Sequence, residues 1–398
     1  MLSEKSTATV RATLPAVGAA IGDITELFYG KLFAAHPELI RDLFNRGNQN
    51  AGLQKQALAG SIAAFATHLV AHPDIRPDVM LNRIAHKHAS LGVTREQYPI
   101  VHKYLFEAIV EILGEAVTPE VAEAWDEVYW LMANALVTIE ERLYAERQVL
   151  AGDVWREWTV AARVEETADC TTFQLAPADG APAPSYKPGQ YVSVQVELPD
   201  GARQIRQYSL STSPGSAVRA ITVKRVHGPA AAGPDGEVSG HLHARVQVGD
   251  TLRVSAPYGD LTLRDSNAPV LLASAGIGCT PMLSMLEHLA DTAHTAPVTV
   301  LHADRSPADH PLRGDHRALT HKLADASAHF WYEESAEPGH HTGHMDLGAV
   351  PVAPGTKAYL CGPLPFMRAV REQLLAKGVP AADIHYEVFG PDLWLASA

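Results

Sequence analysis

Two histidines, His86 and His88, lie in the segment 83–99, RIAHKHASLGVTREQYP, and Tyr98 follows ten residues after the second. Imidazole is a common metal ligand, but a buried imidazole can also be an ordinary part of a protein core. At about 100° of helical rotation per residue, His88 falls on an apolar stripe and His86 on the polar side. The other residues of this stripe are Leu81, Ile84 and Leu91. The spacing therefore selects His88 as a candidate ligand, with a core histidine bonded to a backbone carbonyl as the alternative.

A glycine turn in the second half has the residues needed to bind a phosphate group. The run PVLLASAGIGCTPM predicts a strand that ends at Gly276 and Gly278, and Thr280 and Pro281 then begin a helix. Glycines allow the backbone to approach a diphosphate, whose charge is favoured at the start of a helix. Upstream, RQYSLS at 206–211 ends a predicted strand, and its arginine and tyrosine suit a diphosphate and a flat ring. Each motif alone is also compatible with a purely structural role.

The elements that must position these residues are of three kinds. Residues 1 to about 150 have long helical stretches, with start signals such as Thr118-Pro119-Glu120. From Trp155, the short alternating runs TVAARV, YVSVQVEL, AITVKRV and TLRVSAP predict an antiparallel β-barrel or sandwich. After about residue 266, apolar strands alternate with helices, as in a parallel α/β sheet. We therefore predict an all-α domain at 1–150, an antiparallel β-barrel domain at 151–265 and an α/β domain at 266–398.

The composition limits the partners of the chain. Its 398 residues include 32 Lys and Arg against 45 Asp and Glu, a net charge of −13, which argues against nucleic acids and anionic membranes. The three cysteines, Cys170, Cys279 and Cys361, are far apart, so we expect neither a disulfide framework nor a thiolate zinc site. The first residues contain no apolar signal segment, and no apolar run is long enough to span a bilayer. We expect a cytoplasmic monomer that acts on small molecules.

The second half resembles the ferredoxin-reductase-like flavoproteins over residues 155–391, because four motifs occur in the order typical of that family. These motifs are Arg-x-Tyr-Ser, the glycine turn, Cys361-Gly362-Pro363 and the YEVFGP run at 386–391. The resemblance implies an FAD-binding barrel followed by a domain for NADH or NADPH. The residues that it would place at FAD are Tyr191, Arg206, Gln207, Tyr208 and Ser209, with Val388, Phe389, Gly390 and Pro391 beside the flavin. The residues that it would place at the diphosphate of NAD(P)H are Gly276, Ile277, Gly278, Cys279, Thr280 and Pro281.

A flavin accepts two electrons together as a hydride and can release them one at a time, so the chain needs a one-electron acceptor. It has no cysteine cluster for an iron–sulfur centre, which makes haem the natural acceptor. The helical half resembles a globin in ELFYGKLFAAHPEL, LFNRGNQ, LQKQAL and RIAHKHASLGVTREQY, and nearly the full chain resembles the flavohaemoglobins. The resemblance implies that His88 binds the iron of haem b. It also places Phe44 on the porphyrin, and Tyr29, Gln54 and Leu58 on the side that binds gas.

Three positions near His88 have competing interpretations. The resemblance implies that Tyr98 and Glu140 form a network behind the ligand, which would make the imidazole a stronger donor. Glu141 is a rival, but only Glu140 falls on the stripe that runs from Leu136 to Leu143. Pro99 removes a backbone donor next to Tyr98, which leaves two positions open for this tyrosine, in the network or displaced from it.

Three positions in the second half stay open as well. The long loop at 228–237 leaves a flavin-diphosphate role for Ser239 undecided, and Arg305 suits either a 2′-phosphate or the protein surface. For the run PGHHTGH, a solvated loop is favoured over a metal site, because Pro and Gly impose no ligand geometry. The histidines of this run are His340, His341 and His344.

The flavohaemoglobin resemblance implies nitric oxide dioxygenase activity. In this reaction NO and O2 become nitrate at the haem, with electrons that pass from NADH or NADPH through FAD. Two alternatives stay open: a haem-based oxygen sensor or store with a flavin module that keeps the iron reduced, and a haem-free NAD(P)H flavin reductase.

Overall fold

The computed structural model describes residues 2–228, 235–264, 267–334 and 338–390. These residues fall into two compact units. One unit contains residues 2–154, Glu197–Ile205 and Gly390, and the other contains the described parts of Trp155–Val196 and Arg206–Phe389.

The described residues up to 154 are helical, as the sequence predicts. The helices are α1 (Glu4–Ala35), α2 (Pro37–Asp42), α3 (Arg46–Asn50), α4 (Leu53–Ala71), α5 (Asp78–Leu91), α6 (Gln97–Leu113) and α7 (Pro119–Arg147). The predicted start at Thr118 is confirmed, since its side chain accepts a hydrogen bond from the Val121 N–H and Pro119 is the first helical residue. Gly92, at a φ of +78°, ends α5 in the left-handed conformation that favours glycine.

The core of the helical part lies where α1 crosses α6, and α4 and α7 also pack against α1. Its buried side chains are Ile24, Phe28, Tyr29, Leu32, Leu105, Ala108 and Ile109. Within the part of the chain that the structure describes, no helix has the length and hydropathy needed to cross a membrane.

The next part forms a six-stranded sheet that closes into a barrel. Its strands are β1 (Trp155–Glu165), β2 (Cys170–Pro177), β3 (Tyr191–Glu197), β4 (Arg203–Ser209), β5 (Arg219–Lys224) and β6 (Thr251–Ser255). They lie in the order β4-β3-β6-β1-β2-β5, and a bridge between Leu210 and Ile221 joins the end of β4 to β5. α8 (Glu237–Arg245) precedes β6, so the loop predicted at 228–237 ends where a helix begins. Residues 229–234 of that loop lie outside the described residues.

The last part is a parallel α/β sheet. Its strands are β7 (Val270–Ala275), β8 (Val298–Asp304), β9 (Ala326–Tyr332), β10 (His341–Thr342), β11 (Lys357–Cys361) and β12 (Ile384–Glu387). Its helices are α9 (Cys279–Asp291), α10 (Arg313–Lys322) and α11 (Leu364–Ala376). The strand order β10-β9-β8-β7-β11-β12 runs outward from β7 in both directions, which puts the topological switch point between β7 and β11. Ligands of such sheets bind at the carboxyl ends of the strands beside this point.

Candidate functional site

Three side chains from three helices meet at His88: His88 itself on α5, Tyr98 on α6 and Glu140 on α7. His88 Nδ1 lies 2.8 Å from Glu140 Oε1 and 3.1 Å from the Tyr98 hydroxyl oxygen. The Tyr98 hydroxyl donates to the same Oε1 at 2.7 Å. Because a carboxylate accepts hydrogen bonds, Nδ1 is the nitrogen that donates in this contact, which leaves Nε2 as the nitrogen placed to bind a metal. This arrangement suits a neutral imidazole that binds a metal through Nε2.

Pro99 does not displace Tyr98 from this network. α6 begins at Gln97, so Pro99 lies in the first turn, where a missing N–H removes no helical hydrogen bond. The Tyr129 hydroxyl donates to the Tyr98 carbonyl at 2.6 Å and fixes the backbone there. Burial, and then the neighbouring carboxylate, raise the pKa of Tyr98 far above its usual range. The hydroxyl therefore stays protonated and remains a donor.

The choice of Glu140 over Glu141 agrees with their burial. Glu140 is 2% exposed, whereas the Glu141 side chain is exposed and lies 3.9 Å from Arg95. The recorded partners of His88 Nδ1 are the side chains of Tyr98 and Glu140, where the alternative of a core histidine expected a backbone carbonyl.

The apolar stripe predicted for α5 is correct only in part. The buried residues of this helix are Met80, Leu81, Ala85, Ala89 and Ser90. Ile84 and Leu91 are half-buried, and the His88 side chain is 32% exposed. α5 packs against α7, and the small alanines at 85 and 89 allow the two backbones to approach. His88 consequently lies at the margin of the buried face.

Tyr29, Phe44 and Leu58 share one apolar cluster in the helical part, as their predicted common site requires. Tyr29 is buried, and its ring centroid lies 5.9 Å from that of Phe44 in an edge-on arrangement. Burial raises the pKa of the Tyr29 hydroxyl well above 10, and the side-chain amides of Gln54 and Gln49 partly offset this rise. Tyr29 therefore stays protonated and offers a hydrogen-bond donor in apolar surroundings.

Gln49 is a residue of this cluster that the sequence does not reveal. It lies on α3, only 9% exposed, in the short polar run RGNQN, where no apolar period predicts a buried side chain. Its side-chain amide lies beside the Tyr29 hydroxyl and, with that of Gln54, partly offsets the rise in the pKa of that group.

The residues predicted at FAD lie on or beside β3 and β4 of the barrel. Tyr191 is buried and pairs with Tyr258 through two backbone hydrogen bonds of 2.8 and 2.9 Å. Gln207 Nε2 donates to Ser193 Oγ at 2.9 Å, and Ser209 is buried. The other two predicted residues, Arg206 and Tyr208, are half-buried.

The glycine turn lies at the switch point of the parallel sheet. Gly276 has a φ of +52° and faces open space, while a Cβ atom at Gly278 would lie 2.3 Å from the Cys361 carbonyl oxygen. The segment after β7 thus touches the end of β11 at Gly278, and this close approach leaves no room for a side chain there. Next to it, α9 begins at Cys279, so that Thr280 and Pro281 lie in its first turn, as predicted.

Gly278→Ala should lower the free energy of unfolding by about 1–3 kcal/mol, because the added methyl group overlaps the Cys361 backbone, which cannot move aside freely. The affinity for NADH should fall with it, since the segment after β7 and the end of β11 border the switch point. The measurements are a urea titration and the KM for NADH in ferricyanide reduction. Gly314→Ala, on α10 with nothing within 4 Å, is the matched control and should be neutral or slightly stabilising. Equal stability of the two variants would contradict the close approach.

The residues predicted beside the flavin, and Ser239, differ in how far they are buried. Val388 is half-buried, Phe389 is 47% exposed, and Gly390 has a φ of +121°. Pro391 lies outside the described residues. Ser239 is buried, and its hydroxyl donates to the Gly236 carbonyl and accepts from the Val226 N–H.

Arg305 and the histidine loop both have local partners. Arg305 donates to Asp309 Oδ1 at 2.5 Å, so a 2′-phosphate would have to displace that carboxylate. His340 accepts from Arg313 and Arg317, His341 stacks on Trp331, and His344 lies 3.5 Å from Glu333. The three loop histidines thus point to separate partners.

A buried cluster of histidines in the α/β part was not predicted. His302 on β8, His310 in the next loop and His316 on α10 are each at most 3% exposed. The rings of His302 and His310 stack with centroids 3.8 Å apart, and His310 Nε2 lies 3.0 Å from His316 Nδ1. Ser274 Oγ lies at hydrogen-bond distance from His302 Nδ1, and the Tyr332 hydroxyl from His310 Nδ1. Such a set forms only after three elements pack together, so no local pattern reveals it.

Family models match three successive parts of the chain. A globin model matches residues 26–136, an oxidoreductase FAD-binding domain matches 152–263, and an oxidoreductase NAD-binding domain matches 272–372. Flavohemoproteins from Bordetella parapertussis and Deinococcus radiodurans are each 42% identical over 404 residues. These alignments cover 98% of this chain and 99% and 98% of the two relatives.

Solved structures agree with these matches. A flavohemoglobin from Malassezia yamatoensis with bound FAD and haem has a TM-score of 0.89 and 37% identity, covering 98% of this chain and 100% of that chain. The FAD/NAD-binding domain of a nitric oxide dioxygenase from Vibrio cholerae has a TM-score of 0.56 and 38% identity over 59% of this chain and 99% of that chain. The predicted fold class and the predicted cofactors, haem, FAD and a nicotinamide nucleotide, are confirmed. With relatives aligned over almost its whole length, the chain belongs to the flavohemoprotein family, oxidoreductases that join a haem-binding globin to a flavin reductase.

Proposed function

We propose that this oxidoreductase is an NAD(P)H-dependent nitric oxide dioxygenase. The balanced reaction is 2 NO + 2 O2 + NAD(P)H → 2 NO3⁻ + NAD(P)⁺ + H⁺, so each hydride serves two NO molecules. The observation that carries the proposal is the carboxylate behind His88, because a charged acceptor on Nδ1 strengthens electron donation from Nε2. The Vibrio cholerae relative of the reductase half, described as part of a nitric oxide dioxygenase, supports it.

The residues present fit the three cofactors. When bound, these cofactors supply the division of a hydride into single electrons and an iron centre at which the two gases react. His88 Nε2 would hold the iron, and Glu140 with Tyr98 would keep the proton on Nδ1. Phe44 would pack on the porphyrin, and it lies beside the buried Tyr29.

The opposite side of the haem would receive the gases. Tyr29 and Gln54 would donate hydrogen bonds to dioxygen, while Leu58 and the surrounding aromatic rings would exclude water. A low local dielectric strengthens such hydrogen bonds to a group that gains negative charge.

The reductase half would bind the electron donor and FAD. Tyr191 and the run 206–209 would hold FAD on the barrel, with Val388 to Pro391 against the flavin ring. The segment 276–281 would bind the diphosphate of NAD(P)H with backbone N–H groups at the start of α9. We also propose the domain bounds 1–150, 151–265 and 266–398, and a cytoplasmic monomer with O2, NO and NAD(P)H as partners. Three unpaired, buried cysteines suit a reducing compartment.

The test uses the full-length protein with its cofactors. Under air, NADH should reduce the flavin and haem bands, and an NO pulse should disappear with two nitrate ions formed per NADH oxidised. Anaerobic NO loss at the aerobic rate would refute the proposal. Slow NO loss with a stable oxygen complex would favour the sensor or store, and absence of a Soret band despite adequate haem would favour the flavin reductase.

Glu140→Gln should slow nitric oxide dioxygenation by about 10–100-fold, because the amide still accepts from Nδ1 but lacks the negative charge. The haem reduction potential should rise, since a weaker donor stabilises the oxidised iron less. Steady-state NO consumption and a redox titration measure the two effects. Glu141→Gln, the exposed neighbour, is the matched control and should change neither. Identical behaviour of both variants would remove Glu140 from the mechanism.

A further inference from the structure

The carboxamide of Gln204, 0% exposed, lies between the ends of two helices of the globin part. Its Nε2 donates toward the carbonyls of Ile40, Arg41 and Phe44 at 3.2, 3.0 and 3.2 Å. Its Oε1 accepts from the Arg46 N–H at 3.3 Å. The residue thus comes from β4, more than 150 positions later in the sequence, yet belongs to the same compact unit as the globin helices.

These contacts replace hydrogen bonds that the helices cannot make for themselves. Ile40 and Arg41 lie in the last turn of α2, where carbonyls have no intrahelical partner, and Arg46 is the first residue of α3, where the N–H has none. One side chain therefore caps the end of α2 and the start of α3. It fixes the connection between them, which contains Phe44.

The connection that carries Phe44 and the helix α3, both held by Gln204, each contribute a side chain beside Tyr29. The Phe44 ring lies 5.9 Å from the Tyr29 ring and 5.3 Å from that of Phe33, which itself stacks on Tyr29 at 5.5 Å. α3 carries Gln49, whose amide interacts with the Tyr29 hydroxyl. The position of the Tyr29 hydroxyl thus depends on the two elements that Gln204 holds.

Ion pairs flank this contact but lie nearer to solvent. Arg203 Nη2 is 3.1 Å from Asp42 Oδ2, and Arg46 Nη1 is 2.7 Å from Asp200 Oδ2. In each pair one partner, Arg203 or Asp200, is about half exposed while the other, Asp42 or Arg46, is half-buried, and solvent at the exposed end weakens such pairs. The buried amide, with four backbone partners, dominates the attachment.

From these contacts we infer that Gln204 is a positioning residue for gas binding, which acts on Tyr29 through Phe44 and α3. The inference rests on the proposed role of Tyr29 as a hydrogen-bond donor to the gas. Gln204 is also only two residues before Arg206, at the start of the run proposed to bind FAD.

The test compares the C–O stretching band of the carbon monoxide complex of the holoprotein, which a hydrogen-bond donor near the gas shifts to lower frequency. Tyr29→Phe should raise the frequency. Gln204→Met, of similar length but without hydrogen bonds, should raise it as well and broaden the band. Adding Gln204→Met to Tyr29→Phe should cause no further shift, because the affected donor is already gone.

Arg203→Met is the matched control, because it removes the side-chain ion pair with Asp42 from the neighbouring position and keeps the hydrogen bond from the Arg203 N–H to Asp42. Its band should match that of the unmodified protein. If Gln204→Met yields no haem-loaded protein, Gln204→Glu keeps the volume and the acceptor, loses the donors and is expected to shift the band in the same direction. No shift on Tyr29→Phe would refute the proposed role of Tyr29. A shift with Tyr29→Phe but none with either Gln204 variant, or an equal shift with Arg203→Met, would overturn the present inference.

Discussion

His88→Ala should yield a protein that lacks haem but still oxidises NADH through its flavin. Loss of a group that only supports a metal ligand costs about 10–100-fold in affinity or activity, and loss of the ligand itself should cost more. The Soret band should therefore disappear, and NO consumption should fall by more than about 100-fold. NADH-dependent reduction of ferricyanide should stay within about twofold, because the described residues proposed to bind FAD and NADH belong, apart from Gly390, to the other compact unit of the chain.

His86→Ala is the matched control for this prediction. His86 lies on the same helix, two residues earlier and also half-buried, so its loss tests the general effect of removing an imidazole from α5. It should retain the haem. A normal Soret band in His88→Ala, or its loss in both variants, would show that His88 is not the ligand. Restoration of the band in His88→Ala by added imidazole would strengthen the assignment.

Short-range signals predicted the elements around His88 well. The predicted cap at Thr118 is a chemical requirement of a helix start, so it is visible in the sequence. Helical periodicity also separated Glu140 from Glu141. It placed His88 less well, because the buried face of α5 follows Ala85 and Ala89, small residues that a hydrophobic period does not weight.

The strand β2 shows another limit of periodic patterns. Its first four residues, CTTF, are all buried, whereas a strand with one solvated face alternates. Thr172 is satisfied by hydrogen bonds to Glu166 and Thr222, partners that exist only in the folded barrel. A polar residue that is buried with a distant partner looks like a surface residue in the sequence.

Gln49 and Gln204 escaped prediction for the same reason. Each is a polar residue in a polar run, and the burial of each depends on a neighbour far away in sequence. Conversely, Gly278 was predicted for the right position, but its tightest constraint is the backbone of Cys361, 83 residues later. Residue types and their spacing indicate candidate site residues, but they do not show which distant segments of the chain pack against those residues.

The buried histidine cluster should make the α/β part sensitive to acid. Burial lowers the pKa of His302, His310 and His316, the last to about 3, so all three are neutral in the folded protein. Asp304 opposes the shift at His302, while the charges of Arg313 and Arg317 add to it at His310. In the unfolded chain each imidazole takes up a proton near pH 6.5. The unfolded state therefore binds more protons below that pH, and the folded state loses stability as the pH falls from 6.5 toward 3.

The expected loss is large. At pH 5, each histidine kept neutral costs about 2 kcal/mol relative to pH 8, or about 4 kcal/mol for His310 and His316 together, and His302 adds to the loss in the same direction. Urea titrations at several pH values between 8 and 5 measure this loss, with NADH binding as the signal for the folded α/β part. His316→Phe should reduce the slope of stability against pH by about one proton, because a phenyl ring fills the same buried space and takes up none. His344→Gln, 92% exposed, should leave the slope unchanged. A flat stability profile down to pH 5 would mean that the three imidazoles are not held neutral together, and the cluster would then have no energetic cost in acid.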